Sequence, residues 1–214
     1  MCVFDIITTP SIEQRDQADT INNKYFTIDT ADLITVHEWL DFNPYIVTHA
    51  LRDEEVVGFF NIMPITNECA ALFDNQQIKE EDLDIQHMLA PEVMHLAENA
   101  YLAAIAIKDI GNYQNSQCAA ALLSAMCDHF LYGYDITKLK RIYANPTTFN
   151  GNNLVRKMGL KPVISHKKPL KGNDIYAMDI TPETLDGLKY YSERYKRFIC
   201  DNAWAQGNTT LPRK

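Results

Sequence analysis

Three short stretches of this chain combine residue types that can hold an ion or move a proton. The first, Gln114-Asn-Ser-Gln-Cys-Ala119, follows an apolar run, Tyr101 to Ile107, and leads into an apolar helix. A helix N-terminus leaves its first N–H groups unpaired and carries about half a positive charge. A turn feeding that terminus therefore forms an anion site from backbone alone, although Asn, Gly and Ser also make ordinary polar turns. The second stretch, Asn145 to Leu160, closes with Leu154-Val-Arg-Lys-Met-Gly-Leu160. Gly159 suits a helix C′ position that requires φ > 0, and Lys157 lies near the helix's negative end, so capping by itself accounts for this pattern. The third is acidic: Glu80, Glu81, Asp82 and Asp84 could draw in a cationic amine, but such a run reads first as a solvated helix face.

The elements that must position these stretches follow from periodicity. Val3 to Thr8 reads as a strand, and Ser11-Ile-Glu-Gln14 as a capping box opening a helix to about Asn22. Asp29-Thr-Ala-Asp32 precedes a second helix with Leu33, Val36, Trp39 and Leu40 on one face, ending before Pro44. Tyr45 to Leu51 and Val56 to Ile62 form a hairpin across Arg52-Asp-Glu-Glu55, with Gly58 allowing a bulge or a close backbone contact. Residues Pro64 to Ala97 read as short helices and loop.

Tyr101 to Ile107 is then a strand, Cys118 to about Leu131 a helix, Leu139 to Ala144 a strand and Asn150 to Met158 a helix. Pro162 to His166 and Asp174 to Ile180 suit an antiparallel pair. A last helix from Pro182 to about Trp204 is aromatic on one side through Tyr190, Tyr191, Tyr195 and Phe198. Central strand–helix units of this kind predict an α/β (α+β) mixed sheet with helices on its faces.

With 214 residues and 46% apolar content, the chain can bury a full core as one domain. A net charge of −8 argues against binding a phosphate backbone, and no nucleic-acid partner is expected. No apolar run approaches the ~20 residues needed to span a bilayer, and Met1-Cys-Val-Phe-Asp lacks the basic start of a secretory signal. The odd set Cys2, Cys69, Cys118, Cys127 and Cys200 reads as reduced thiols of a cytoplasmic protein. No Cys or His spacing suggests a metal site.

The motif segments and the element order together resemble the GNAT N-acyltransferase superfamily, over roughly Val3 to Ile180. Gln114 to Ala119 resembles the family's Arg/Gln-x-x-Gly-x-Gly/Ala turn, with Gln117 where Gly is usual. Leu154 to Leu160 resembles Leu-Tyr-x-Lys-x-Gly-Phe, with Val155 where a tyrosine often protonates the departing thiolate. The resemblance implies a GNAT-like mixed sheet over residues 1–181, with 182–214 a helical extension packed on it. It implies acetyl-CoA or another acyl-CoA as co-substrate. Its contacts would fall on Ile105, Ala106 and Ile107 of the strand, on Gln114, Asn115, Ser116, Gln117, Cys118 and Ala119 of the turn, and on Asn145 and Asn150.

A carboxylate near the start of that strand often serves the family as base, which points to Glu98, with His95 next. Tyr143 could replace the missing tyrosine as acid, and so could Tyr113 in the turn. The implied activity is direct acyl transfer to an amine on a small molecule or a protein. A weakly active or inactive CoA-binding interaction module is the first alternative, on the strength of Gln117 and Val155. A synthase of N-acyl amino acids or lactones fed by acyl carrier protein is the second. The aromatic side of the last helix could pack within the chain or across a homodimer.

Overall fold

The computed structural model describes residues 4–26, 31–164 and 174–207, the last six of these by backbone alone. Seven strands form one mixed sheet. In chain order they are β1 (Asp5–Ile7), β2 (Val47–Arg52), β3 (Glu55–Ile65), β4 (Asn99–Ile107), β5 (Arg141–Ala144), β6 (Lys161–Pro162) and β7 (Tyr176–Asp179). The spatial order is β1-β2-β3-β4-β5-β7-β6, antiparallel throughout except for the parallel β4–β5 pair. The helices are α1 (Ile12–Tyr25), α2 (Leu33–Phe42), α3 (Asn67–Asp74), α4 (Asn112–Tyr132), α5 (Phe149–Lys157) and α6 (Pro182–Gly207). Single-turn 3₁₀ segments at Glu80–Asp82, Ile85–His87 and Met94–Leu96 fill the stretch between α3 and β4.

Alternation along the strands sorts the core into two faces. Ala100 and Leu102 of β4 join Leu122 and Phe130 of α4, Val155 of α5 and Leu188 of α6. Tyr101 joins Trp39 of α2 and Phe73 of α3, and Ala106 joins Ala18 and Ile21 of α1. The sheet thus carries α4, α5 and α6 on one face and α1, α2 and α3 on the other. Helix α6 is fixed against α4 by more than apolar contact. Ser192 donates to Asp128 at 2.7 Å, and Lys196 pairs with the same carboxylate at 3.0 Å. Tyr191 and Tyr195 pack on the core, whereas Tyr190 stays exposed.

Local signals hold where the chemistry is short-range. Ser11 and Gln14 form the reciprocal capping box of α1. Asp53 and Glu54 both take positive φ (51° and 69°), the geometry that matches a two-residue hairpin turn to strand twist. Gly159 has φ +96°; its N–H donates to Arg156 O and the Leu160 N–H to Val155 O, closing α5 with a Schellman motif. Strand β3 runs past Ile62 to Ile65 and tolerates Pro64, because β2 pairs with β3 only as far as Asn61 and leaves that side of Pro64 without a β2 partner. The two strands expected after α5 shrink to β6 and β7, and His166 lies outside the described residues.

Gly58 is required by contact. A Cβ there would sit 2.8 Å from Leu122 Cδ1 and 2.9 Å from the Ala106 carbonyl oxygen, so α4 and β4 close over a bare backbone. Gly58→Ala is expected to lower the unfolding free energy by about 1–3 kcal/mol, since one of the two neighbours is backbone and cannot rotate away. Urea denaturation of the variant beside the parent chain measures the loss.

Candidate active site

Strand β4 pairs with β3 along its whole length but with β5 only from Asn99 to Leu102. Beyond that point β4 continues through Ala103–Ile107 while the other strand ends at Ala144, and the two part. The cause is local on both sides. After Ala144 comes Asn145-Pro146, and proline supplies no N–H with which to extend a ladder. The chain then turns into α5, whose cap is Thr148 accepting from Gly151 N at 3.0 Å. In β4 the register to β3 slips so that Ala104 faces Asn61 and Leu102 faces Ile62, leaving Ala103 as an extra residue. Ala103 and Ala104 consequently point to the same face, toward α1 and α2.

The parting strands open a cleft of about 500 Å³. Ala103–Ile107 and Ala144–Thr148 form its sides. Ala119, Leu123, Leu154 and Val155 wall it on the α4–α5 face, and Tyr25, Phe26 and Glu80 on the other. The cleft therefore passes through the sheet and can admit two groups from opposite faces. The side chains of its walls are apolar apart from Tyr25, the Asn145–Thr148 loop, Asn150 and Glu80.

Glu80 is 7% exposed, yet it borders this space. Tyr101, fully buried on β4, donates its hydroxyl to Glu80 Oε2 at 2.7 Å, and the Ala31 backbone N–H donates to the same carboxylate. The Tyr101 oxygen in turn accepts from the backbone N–H of Asn145 in the cleft wall. Burial pushes the Glu80 carboxyl up to about 7, with the Tyr101 and Ala31 bonds pulling partly the other way. Tyr101 itself is pushed upward by burial and by the neighbouring carboxylate. Two other buried titratable side chains, His49 and His129, are pushed down to about 4, chiefly by burial, and neither borders the cleft.

The residues named from the sequence divide sharply. Ile105, Ala106, Ile107, Ala119, Asn145 and Asn150 come together in the cleft wall, as does Val155. The turn before α4 requires correction: the helix starts at Asn112, not near Cys118, so Gln114, Asn115, Ser116, Gln117 and Cys118 lie within it. The Asn115 N–H is already spent on Gly111 O at 2.8 Å. Gln117 and Cys118 are buried, and Cys118 Sγ lies 3.2 Å from where a Gly58 Cβ would be. The N-terminal turn of the helix instead begins at Asn112, after Gly111 with φ +102°, so the N–H groups that point out of the helix end lie ahead of the motif residues. Asn115 helps shape that turn with its side chain, accepting from Ile110 N at 2.9 Å and donating to Asp109 at 3.0 Å.

The residues expected to move protons lie elsewhere. Glu98 sits at the foot of β4, outside the cleft wall, where a 2.7 Å bond from Lys140 is the main cause holding its carboxyl below the ordinary value. His95 is exposed in a 3₁₀ turn. The Tyr143 hydroxyl donates to Asp74 at 3.0 Å on the α3 side, and burial pushes it upward. The group that does reach the cleft, Glu80, was legible only as part of an acidic run.

No protein-family model matches the chain, and no curated protein sequence matches it. Many solved structures share its fold. The loading GNATL domain of CurA from Lyngbya majuscula matches with a TM-score of 0.59 at 14% identity, covering 83% of this chain and 98% of that one. A GNAT family N-acetyltransferase, YhbS, from Escherichia coli, solved in complex with CoA, matches at 0.50 and 16% identity, covering 87% of each. N-acetylglutamate synthase from Neisseria gonorrhoeae, complexed with coenzyme A and N-acetyl-glutamate, matches at 0.51 and 12% identity, over 83% of this chain. The chain spans only 35% of that synthase's length. The fold of this chain is the GNAT fold.

Proposed function

We propose that the chain is an acyl-CoA-dependent N-acyltransferase that moves an acyl group, acetyl in the simplest case, directly onto an amine. The observation that carries this reading is the cleft between the parted β4 and β5, in a fold whose solved relatives include acetyltransferases bound to CoA. Ala103–Ile107 present a strand edge that β5 leaves unpaired, able to hydrogen-bond the amide groups of a pantetheine arm as a further strand would. Ala119 and Leu123 leave an apolar wall beside it. The pyrophosphate is assigned to the α4 terminus at Asn112 and Gln114, in place of the full Gln114–Ala119 turn that the motif resemblance implies.

Titration calorimetry with acetyl-CoA and with free acetyl-pantetheine tests this assignment. Saturable acetyl-CoA binding in the micromolar to millimolar range is expected, weakened for the pantetheine fragment. No heat from acetyl-CoA at millimolar concentration would overturn the donor assignment. Bound ligand is also expected to raise the melting temperature by mass action.

A further inference from the structure

We infer that Glu80 is the proton acceptor for the attacking amine and that Tyr101 positions it, an assignment that rests on the acyltransferase reading. Among the described residues that wall the cleft, Glu80 is the only carboxylate, and no histidine or lysine accompanies it. It enters from the face opposite α4 and α5, so a nucleophile beside it approaches the parted strands from the side away from Ala119 and Val155. Its two fixed donors, Tyr101 Oη and Ala31 N–H, leave lone pairs of the carboxylate for a third. The Asn145–Tyr101–Glu80 chain of hydrogen bonds ties the carboxylate to the loop that ends β5, which keeps it in register with the point where the strands separate.

The step balances without a further reactant. The amine nitrogen attacks the thioester carbon, forming the C–N bond as the carbonyl electrons move to oxygen. The Glu80 carboxylate takes the N–H proton from the resulting ammonium. The carbonyl re-forms, the C–S bond breaks, and the thiolate leaves. The proton held on Glu80 passes to the thiolate through water in the cleft, giving amide and free thiol. Val155, which offers no hydroxyl, takes no part. A carboxyl poised at about 7 suits such a base, being about half ionised at neutral pH and still basic enough to accept a proton.

The test uses the full chain with acetyl-CoA as donor and 2-phenylethylamine, spermidine and glycylglycine as acceptor probes, thiol release being followed against pH. Wild-type kcat/KM is expected to rise with pH through a limb near 7. Glu80→Gln should lower it by about 10²–10⁴ and remove that limb. Tyr101→Phe should keep the limb but move it to higher pH, because the lost hydroxyl bond is one that lowers the Glu80 carboxyl. A merely structural role for Tyr101 would leave the limb in place. Equal kinetics and an unmoved limb in Glu80→Gln would overturn the assignment, and so would a wild type that binds acetyl-CoA yet releases no thiol with any probe. Failure of every variant and the wild type to bind acetyl-CoA in calorimetry would instead sink the donor reading itself.

Discussion

Replacing Ala119 with phenylalanine should abolish acetyl-CoA binding while leaving the chain folded. Ala119 lies on α4 one turn before Leu123, and both face the cleft opposite the free edge of β4. Unlike its neighbours Cys118 and Ala120, which are in the core, it is only partly buried. A benzyl group at this position can therefore turn into the cleft without forcing the α4–sheet packing apart, where overpacking would cost stability. It would fill the space assigned to the pantetheine arm. The expected loss is about 100-fold or more in affinity, or ~3 kcal/mol. Calorimetry measures it, and urea denaturation should place the variant within about 0.5 kcal/mol of the parent. Retained binding in a normally folded Ala119→Phe variant would move the donor out of this cleft.

The second large effect is on stability and comes from Glu80. Its carboxyl titrates at about 7 in the folded chain against an ordinary value of 4.5, so the folded state holds a proton that the unfolded state releases. The stability this contributes is fully present below pH 4.5 and is lost as the pH rises through 7. The difference corresponds to about 3 kcal/mol. Glu80→Gln carries no such titration. Unfolding free energies of the two proteins, measured by urea at intervals from pH 4.5 to 8, should therefore diverge, the parent losing ground to the variant by about that amount. The comparison cancels the other titrating groups, which both proteins share. A constant difference across the range would show that the ionised carboxylate is not penalised in the fold, and that water reaches it more freely than its burial implies.

Much of this architecture was legible because its causes are local. Ser11 and Gln14 signal a helix start by chemistry confined to four residues, and Gly159 marks a helix end for the same reason. The apolar run from Tyr101 to Ile107 announces a central strand, and its last residues do line the cleft. The start of α4 was missed because Gly111 at its N-cap gives no Ser, Thr, Asp or Asn signal and no side-chain cap bond. Asn115, which reads as a turn residue, does shape a turn, but from inside the helix, bonding back to Ile110 and Asp109. Glu80 was hidden for a different reason. Its burial depends on Tyr101, 21 residues further along, and on Ala31 from the segment before α2. Beside Glu81 and Asp82 in sequence it looks like one more solvated acid. Glu98 erred in the opposite direction: its place beside the strand was right, but Lys140 meets it at the surface end.

The opening through the sheet has an evolutionary consequence. In the proposed enzyme the thioester is held by β4, α4 and α5, whereas the face that receives the nucleophile is built from the end of α1 at Tyr25 and Phe26 and the 3₁₀ turn at Glu80. Those last segments come from different parts of the chain than α4 and α5, and they lie across the sheet from them. Residues such as Tyr25 and Phe26 can drift, exchanging one class of amine for another, without disturbing the grip on the donor. Separation of the two recognition tasks by a single layer of backbone lets selection retune one half of the reaction while the other is held constant.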